Sequence, residues 1–399
     1  MTVSETGLAG IRTGRDPMAG PGFFVIGGRV LALSLPLMVG SLTAAGQSIA
    51  KLGLLTYHGE TEALYLFSMV QPGFILMLAF MESLAIANQV FSSKSVRTWP
   101  RGDVRRATGF FSGLGCVAIL LVAAGIWGAQ GLLPEGSVMR PVLPEMALFV
   151  LSFLPFFLFE ARNAALRGQG RTALALVPFA VLIVVDLAVT AAGVMVFDLG
   201  FHAVLLGNVV GPLAAFPLTY LLLNRTVGPA APVADPGYRR NVLRMLIGVA
   251  TPTFLTTFAG SVAAMVIFPL LAGLGPDAVS SFLIVVRMRV LFIIPAIAPG
   301  SAMAIMINSR NETEHGAESR RILSCGAAMI ALIYVAATAG LYLGHGWIVG
   351  LMVPPDNPPL RAAATDLFRL LILTFFLIAV GTMLQVILEH LGKGVPVLV

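Results

Sequence analysis

Charge is scarce in this chain: Asp, Glu, Lys and Arg together make up 11% of 399 residues, whereas 57% are apolar. A soluble domain carries about 25% charged residues and about 45–50% apolar ones. So large an apolar surplus cannot be hidden from water inside one core, and disorder is excluded by the same numbers. Cysteine is nearly absent. Cys116 and Cys325 stand 209 residues apart, each within an apolar stretch, which excludes a disulfide framework, a metal-ligand spacing and a redox pair. They read as buried, inert thiols. Catalytic signatures are missing as well: there is no His-Glu-x-x-His, no Gly-x-Ser-x-Gly and no phosphate loop ending in Gly-Lys-Ser/Thr. No enzyme, no resident cofactor and no metal site is therefore expected. What is present is hydrocarbon, at a mean hydropathy of +0.92, and the class is all-α, a polytopic membrane protein.

Roughly 20 apolar residues cross a bilayer as a helix, because lipid offers no partner to open backbone groups. Ten such spans are predicted, over 30–57, 63–91, 107–132, 145–166, 172–197, 201–223, 242–272, 278–307, 322–344 and 362–390. With the amino terminus placed in the cytoplasm, nineteen Lys and Arg fall on the inner side and three (Lys51, Arg140 and Arg361) on the outer. That asymmetry is the positive-inside signal. It explains the net charge of +6 without a nucleic-acid partner and predicts a multi-pass protein of the plasma (inner) membrane.

The sequence repeats itself. Leu35-Pro36 is followed 23 residues on by Gly59-Glu60-Thr61-Glu62-Ala63, and Thr251-Pro252 by Gly275-Pro276-Asp277-Ala278-Val279, both at an offset of 216. Arg167-Gly168-Gln169-Gly170 is echoed by Leu391-Gly392-Lys393-Gly394 at an offset of 224. Two halves of like orientation follow. The predicted organisation is a cytoplasmic disordered tail (1–28), an N-lobe of six spans (29–223), a Pro-rich cytoplasmic linker (224–240) and a C-lobe (241–399) with four visible spans of an expected six. A full second half would need about 50 further residues, so the chain is expected to lack its last two helices.

These patterns resemble the multidrug and toxic compound extrusion (MATE) family of secondary transporters. The resemblance runs over Leu33–Met69, over Phe156–Thr172 with its Leu166-Arg167-Gly168-Gln169-Gly170, over Leu243–Ser281, and around Arg287 and Pro295. It implies two helical lobes about a central cleft and alternating access, with export of a small organic compound by H⁺ or Na⁺ antiport, from a monomer in the lipid bilayer. Lipid-linked precursor flipping, known in the same superfamily, and a non-transporting fragment are the alternatives. The chain departs from the family pattern at its coupling positions. Lys51 stands where an Asp is usual, Asp186 and Thr190 where Asn and then Asp occur, and Asn208 at a Thr of the cation site. The mid-membrane Glu of the seventh span is missing from Phe258-Ala259-Gly260-Ser261, and Arg289 replaces a common acidic residue, while Arg287 matches a basic one.

An uncompensated charge inside a bilayer costs at least about 2.5–3.5 kcal/mol, so each demands a reason. Asp186 lies about 21 Å from the inner end of the fifth span, with Thr190 one turn on along the same face. Such a carboxylate, with Asn208 approaching from the sixth span, can hold a proton or Na⁺. Lys51 lies about 9 Å inside the outer end of the first span. It either snorkels outward or replaces the coupling cation by pairing with Asp186 in one conformational state. Arg287 and Arg289 are separated by about 200° around their helix, so one can line the cleft while the other pairs between helices. The added positive charge makes an anionic or zwitterionic substrate conceivable. Asp366 and Arg369, at i and i+3, are expected to pair locally, as is Glu160 with Arg162 or Arg167. Glu82 and Glu160 read as structural. Gln47, Gln71 and Asn163 are candidate ligand contacts, and Pro36 and Pro252, at equivalent repeat positions, a candidate pair of hinges.

Overall fold

The computed structural model describes residues 22–57, 63, 66–67, 70–97, 99–136, 140–229, 236–259, 276–309, 317–352 and 358–392. The expectations for the amino-terminal tail up to residue 21, for the two repeated Gly turns and for the helix opening after residue 393 fall largely outside them.

Every regular element among the described residues is helical. It forms α1 (Phe23–Tyr57), α2 (Gln71–Lys94), α3 (Val104–Ala129), α4 (Val142–Ser152), α5 (Leu154–Gly168), α6 (Thr172–Met195) and α7 (Phe201–Val227). After these come α8 (Tyr238–Met245), a π-helical turn over Leu246–Ala250, α9 (Pro276–Asn308), α10 (Ala317–Leu343), α11 (His345–Met352) and α12 (Pro358–His390). Among the described residues ten helices are long and apolar enough to span a bilayer, at the places the hydropathy predicts. Long rows of Leu, Val and Phe stay exposed on their outer faces, such as Leu121, Val184, Leu332 and Leu370, as a lipid-facing surface requires.

Boundaries shift by a few residues at several spans, and two of the differences have a clear physical reason. α1 begins at Phe23 rather than near residue 30, because Ile26 and Val30 are buried in a cluster with Met303, Ile330 and Met383. Burial of these two side chains sustains the helix through Gly27 and Gly28. The fourth span is broken at Phe153 into α4 and α5, with Pro155 in the first turn of the second piece, where a missing N–H costs nothing.

The basic residues Lys94, Arg167 and Arg171 and those of α8 lie at one end of the bundle, here called the basic face. At this end the two halves of the chain meet. α1 packs on α6 in one direction and on α9 in the other, while Phe91 of α2 stacks edge-on to Trp99 and Tyr238. A close approach of α5 to α2 depends on Gly168: a Cβ there would meet the carbonyl oxygen of Gln89 and lie 2.8 Å from Ser92 Cβ. Gly170 then turns the chain with φ +74°, and Gly392 ends α12 with φ +78°, the left-handed conformation that glycine adopts without strain. In three dimensions, therefore, Gly170 corresponds to Gly392, two residues out of step with the sequence echo.

Candidate functional site

Lys51 and Asp186 come from α1 and α6, and the structure brings them together. Lys51 Nζ lies 2.7 Å from Asp186 Oδ2, with both residues buried at 5% and 2% exposure. At that burial Lys51 does not snorkel. Its ammonium also donates to Asn208 Oδ1 of α7 at 2.7 Å. Gln47, one turn before Lys51 on the same face of α1, donates its amide to Asp186 Oδ2. Thr190 donates its hydroxyl to Asp186 Oδ1 at 3.3 Å. Asn208 Nδ2 in turn donates to Ser152 Oγ at 3.0 Å, and Ser152 to the Phe149 carbonyl at 2.7 Å.

The backbone makes this cluster possible. Gly207 and Gly211 sit one turn apart on α7, and added methyls there would overlap Asp186 Oδ1 and approach Asp186 Cβ to 2.7 Å. Small residues at i and i+4 let two helices approach closely in a membrane, and here they seat α7 directly on the acidic turn of α6. The cluster is electrically neutral. Lys51, Asp186, Thr190 and Asn208 each have a partner, which is the condition for burying polar groups in low dielectric. Both Asp186 oxygens already accept hydrogen bonds, and the position nearest Oδ2 is filled by the Lys51 ammonium. Among the described residues no group of three His, Cys, Asp or Glu could hold a metal ion.

A second constellation lies between the halves, towards the basic face. A cavity of about 370 Å³ is walled by α1, α2, α5, α6, α9 and α12, with Pro36, Glu82, Gln89, Asn163, Phe179 and Ser301 among its lining residues. Its floor is polar. Gln89 Nε2 donates to Ser301 Oγ at 2.7 Å and lies 3.4 Å from His390 Nδ1. Arg167 Nε donates to Gln89 Oε1 at 3.3 Å while its Nη2 pairs with Glu160. Beneath them Asn308 Nδ2 donates to the His390 carbonyl at 2.6 Å and to Ser93 Oγ at 3.1 Å. Helices of both halves are thereby tied by side chains.

The remaining sequence candidates are distributed unevenly. The side chains of Gln71 and Arg287 lie outside the described residues. Arg289 is half-buried. The pair expected between Asp366 and Arg369 is not formed. Both are exposed, and Arg369 turns to Tyr342, its guanidinium 5.8 Å from the ring centre, where a planar cation finds a face to stack on. Of the two partners proposed for Glu160, Arg167 is the one in contact. Cys116 and Cys325 are free and half-buried rather than fully buried. Gln89, Ser301 and His390 escaped the sequence reading. One signal was available, since Glu82 and Gln89 stand seven residues apart and so share a face of α2.

No protein-family model and no curated protein matches the chain. Solved structures do. The Vibrio cholerae MATE transporter VcmN in its bent form superposes with a TM-score of 0.82 at 15% identity, over 94% of this chain and 85% of that one. A MOP superfamily transporter from Pyrococcus furiosus, for which reverse polarity of the binding pocket is said to suggest a different function, gives 0.76 at 16% identity, over 94% and 86%. A multidrug resistance MATE family transporter of the MOP superfamily, in an outward-facing conformation, gives 0.76 at 14% identity, over 93% and 84%. The chain has the fold of MATE transporters, as its sequence pattern implies.

Proposed function

We propose that this chain is a secondary active transporter, which exports small organic compounds across the plasma (inner) membrane by alternating access, driven by H⁺ or Na⁺. The amino terminus and the basic loops face the cytoplasm in this reading, supported by their excess of Lys and Arg. The observation that carries the proposal is the buried Lys51–Asp186 pair. Two opposite charges at this depth, joined by Gln47, Thr190 and Asn208 across three helices, are costly to assemble for packing alone. A tethered ammonium on a carboxylate is a built-in cation. Its making and breaking can couple charge movement to the rearrangement of α1 against α6.

Transport in proteoliposomes tests this reading. Efflux of a fluorescent organic dye is followed under an imposed pH gradient and, separately, under a Na⁺ gradient, for the natural chain, Lys51→Ala and Lys51→Asp. Loss of gradient-driven efflux in Lys51→Ala, and a changed ion dependence in Lys51→Asp, are expected. Unchanged coupling in both variants overturns the role of Lys51, and no gradient-driven efflux of any dye from the natural chain overturns the transporter reading.

One observation favours a second reading of the substrate. Lys51 makes the N-lobe cluster neutral, and a neighbour in fold is described by the reversed polarity of its binding pocket. An anionic or zwitterionic substrate suits an N-lobe cluster that carries no net negative charge. Competition between anionic and cationic dyes in the same vesicles decides between the two.

A further inference from the structure

The Lys51–Asp186 cluster leaves an exchangeable ion without a seat. Its ammonium occupies the position on Asp186 Oδ2, and Thr190 and Gln47 engage the carboxylate besides. Other carboxylates in the spans are engaged too: Glu160 by Arg167 and Glu389, itself only 2% exposed, by Gln385 at 3.0 Å. Asp366 is exposed on α12 and does not line the cavity.

Glu82 is different. It lies on α2 about 18 Å along the helix from Lys94 at the basic face, lines the cavity between the two halves, and has no hydrogen bond or ion pair among the described residues. A second group points to a ligand in the same cavity. Asn163 of α5 is 2% exposed, and its Oδ1 has no donor. Both groups are acceptors. Nearby donors are turned to other groups, Arg167 to Glu160 and Gln89, and Gln89 to Ser301. A cavity wall with a free carboxylate and a free amide oxygen calls for an occupant that brings positive charge and donors. Hydrogen bonds from Asn88 to the Ala161 carbonyl and from Ser92 to the Ala165 carbonyl fix α2 and α5 side by side. Asn163 therefore sits about two turns nearer the basic face than Glu82. About 11 Å along the helices separates the two groups, so a cation on Glu82 reaches Asn163 through a short chain of waters, for which a cavity of 370 Å³ has room.

We infer that Glu82 is the exchangeable cation site of this protein, taking up a proton or a hydrated Na⁺ in the cavity between the lobes, with Asn163 accepting from the far end of the water chain that joins them. The charged and titratable groups facing this site are Glu160 and Arg167 from α5 and Glu389 and His390 from α12. Glu160 and Arg167 cancel one another, so uptake neutralises an otherwise unbalanced negative wall. Glu82 takes this role only in a transporter of the kind proposed above. Ion binding is measured without transport, so the two readings fail separately.

The purified 399-residue chain in detergent is titrated with ²²Na⁺, and proton uptake is followed in lightly buffered solution, for the natural protein, Glu82→Gln, Glu82→Asp, Asn163→Leu and Lys51→Ala. Glu82→Gln keeps the side-chain volume, and each variant is compared only as a monodisperse peak. The expected result is saturable binding of Na⁺, of protons, or of both in competition. That binding should be lost in Glu82→Gln, retained in Glu82→Asp and weakened in Asn163→Leu. Binding that survives intact in Glu82→Gln overturns the assignment. So does binding that Lys51→Ala abolishes while Glu82→Gln does not, which returns the ion to the N-lobe cluster.

Discussion

Gln89 Nε2 donates to Ser301 Oγ at 2.7 Å, a side-chain bond between two helices from opposite halves of the chain, 212 residues apart in sequence. Every contact of this kind must break if the halves separate at the basic face. A net hydrogen bond contributes about 0.5–1.5 kcal/mol, and Gln89 holds Ser301, Arg167 and the edge of His390 together. Removing it by Gln89→Ala is expected to move the conformational equilibrium several-fold towards separation, since about 1.4 kcal/mol is a tenfold change. Spin labels placed at Arg97 and Arg320, both exposed at that face, report it. Pulsed-EPR distances in the variant should gain a longer population that the natural chain lacks.

The close seating of α7 on α6 gives a stability prediction with its own control. A methyl at Gly211 would come within 2.7 Å of Asp186 Cβ and 2.8 Å of the Leu182 carbonyl oxygen, whereas one at Gly109 or Gly113 meets nothing within 4 Å. Gly207→Ala and Gly211→Ala should each cost about 1–3 kcal/mol, the usual range for overpacking. Gly109→Ala and Gly113→Ala, on the exposed side of α3, should be neutral or stabilising by up to about 1 kcal/mol. Thermal melts in detergent rank the four.

What could be read from sequence follows from what the bilayer enforces. Each crossing needs an apolar run, so all ten spans were legible, while the break at Phe153 was not, and ends moved where tertiary packing intervened, as Ile26 shows at the start of α1. A lone charge in hydrocarbon needs a partner, so Lys51 and Asp186 were legible as a pair although 135 residues separate them. The cross-lobe floor was not legible. Gln89, Ser301 and His390 are ordinary polar residues on three helices, and only the docking of the lobes makes them neighbours. The spacing rule for Asp366 and Arg369 failed for a local reason: i,i+3 proximity is worth only about 0.2–0.5 kcal/mol, and Tyr342 offers Arg369 an aromatic face.

A double-mutant cycle on Lys51 and Asp186 separates pairing from packing. Loss of one partner leaves a buried charge uncompensated, at a cost of about 3–5 kcal/mol. Lys51→Met and Asp186→Asn should therefore each lower the melting temperature sharply. In Lys51→Met Asp186 Oδ2 keeps only the Gln47 amide, and in Asp186→Asn the ammonium meets only neutral amide oxygens, the introduced one and Asn208 Oδ1. Combined, the two changes should cost less than their sum, because the double variant buries no net charge. Strict additivity would mean that the two side chains act independently.

Pro36 and Pro252 stand at equivalent places in the repeat, and their surroundings differ in a way that predicts unequal effects. Pro252 follows the π-helical turn Leu246–Ala250, where Thr251 Oγ1 donates to the Leu246 carbonyl at 2.9 Å. The turn is already distorted, and a missing donor is absorbed there. Pro36 lies inside the continuous α1 and lines the cavity between the halves. There the absent N–H leaves the Ala32 carbonyl without its usual helical donor. Pro36→Ala restores that bond and stiffens the helix that packs on both α6 and α9. A hinge role predicts a higher melting temperature and slower dye efflux at unchanged dye affinity for Pro36→Ala, with a smaller effect of the same sign for Pro252→Ala. Stabilisation with unaltered efflux in both would reduce the prolines to packing kinks, because a hinge that is stiffened without kinetic consequence is not one the transport cycle bends.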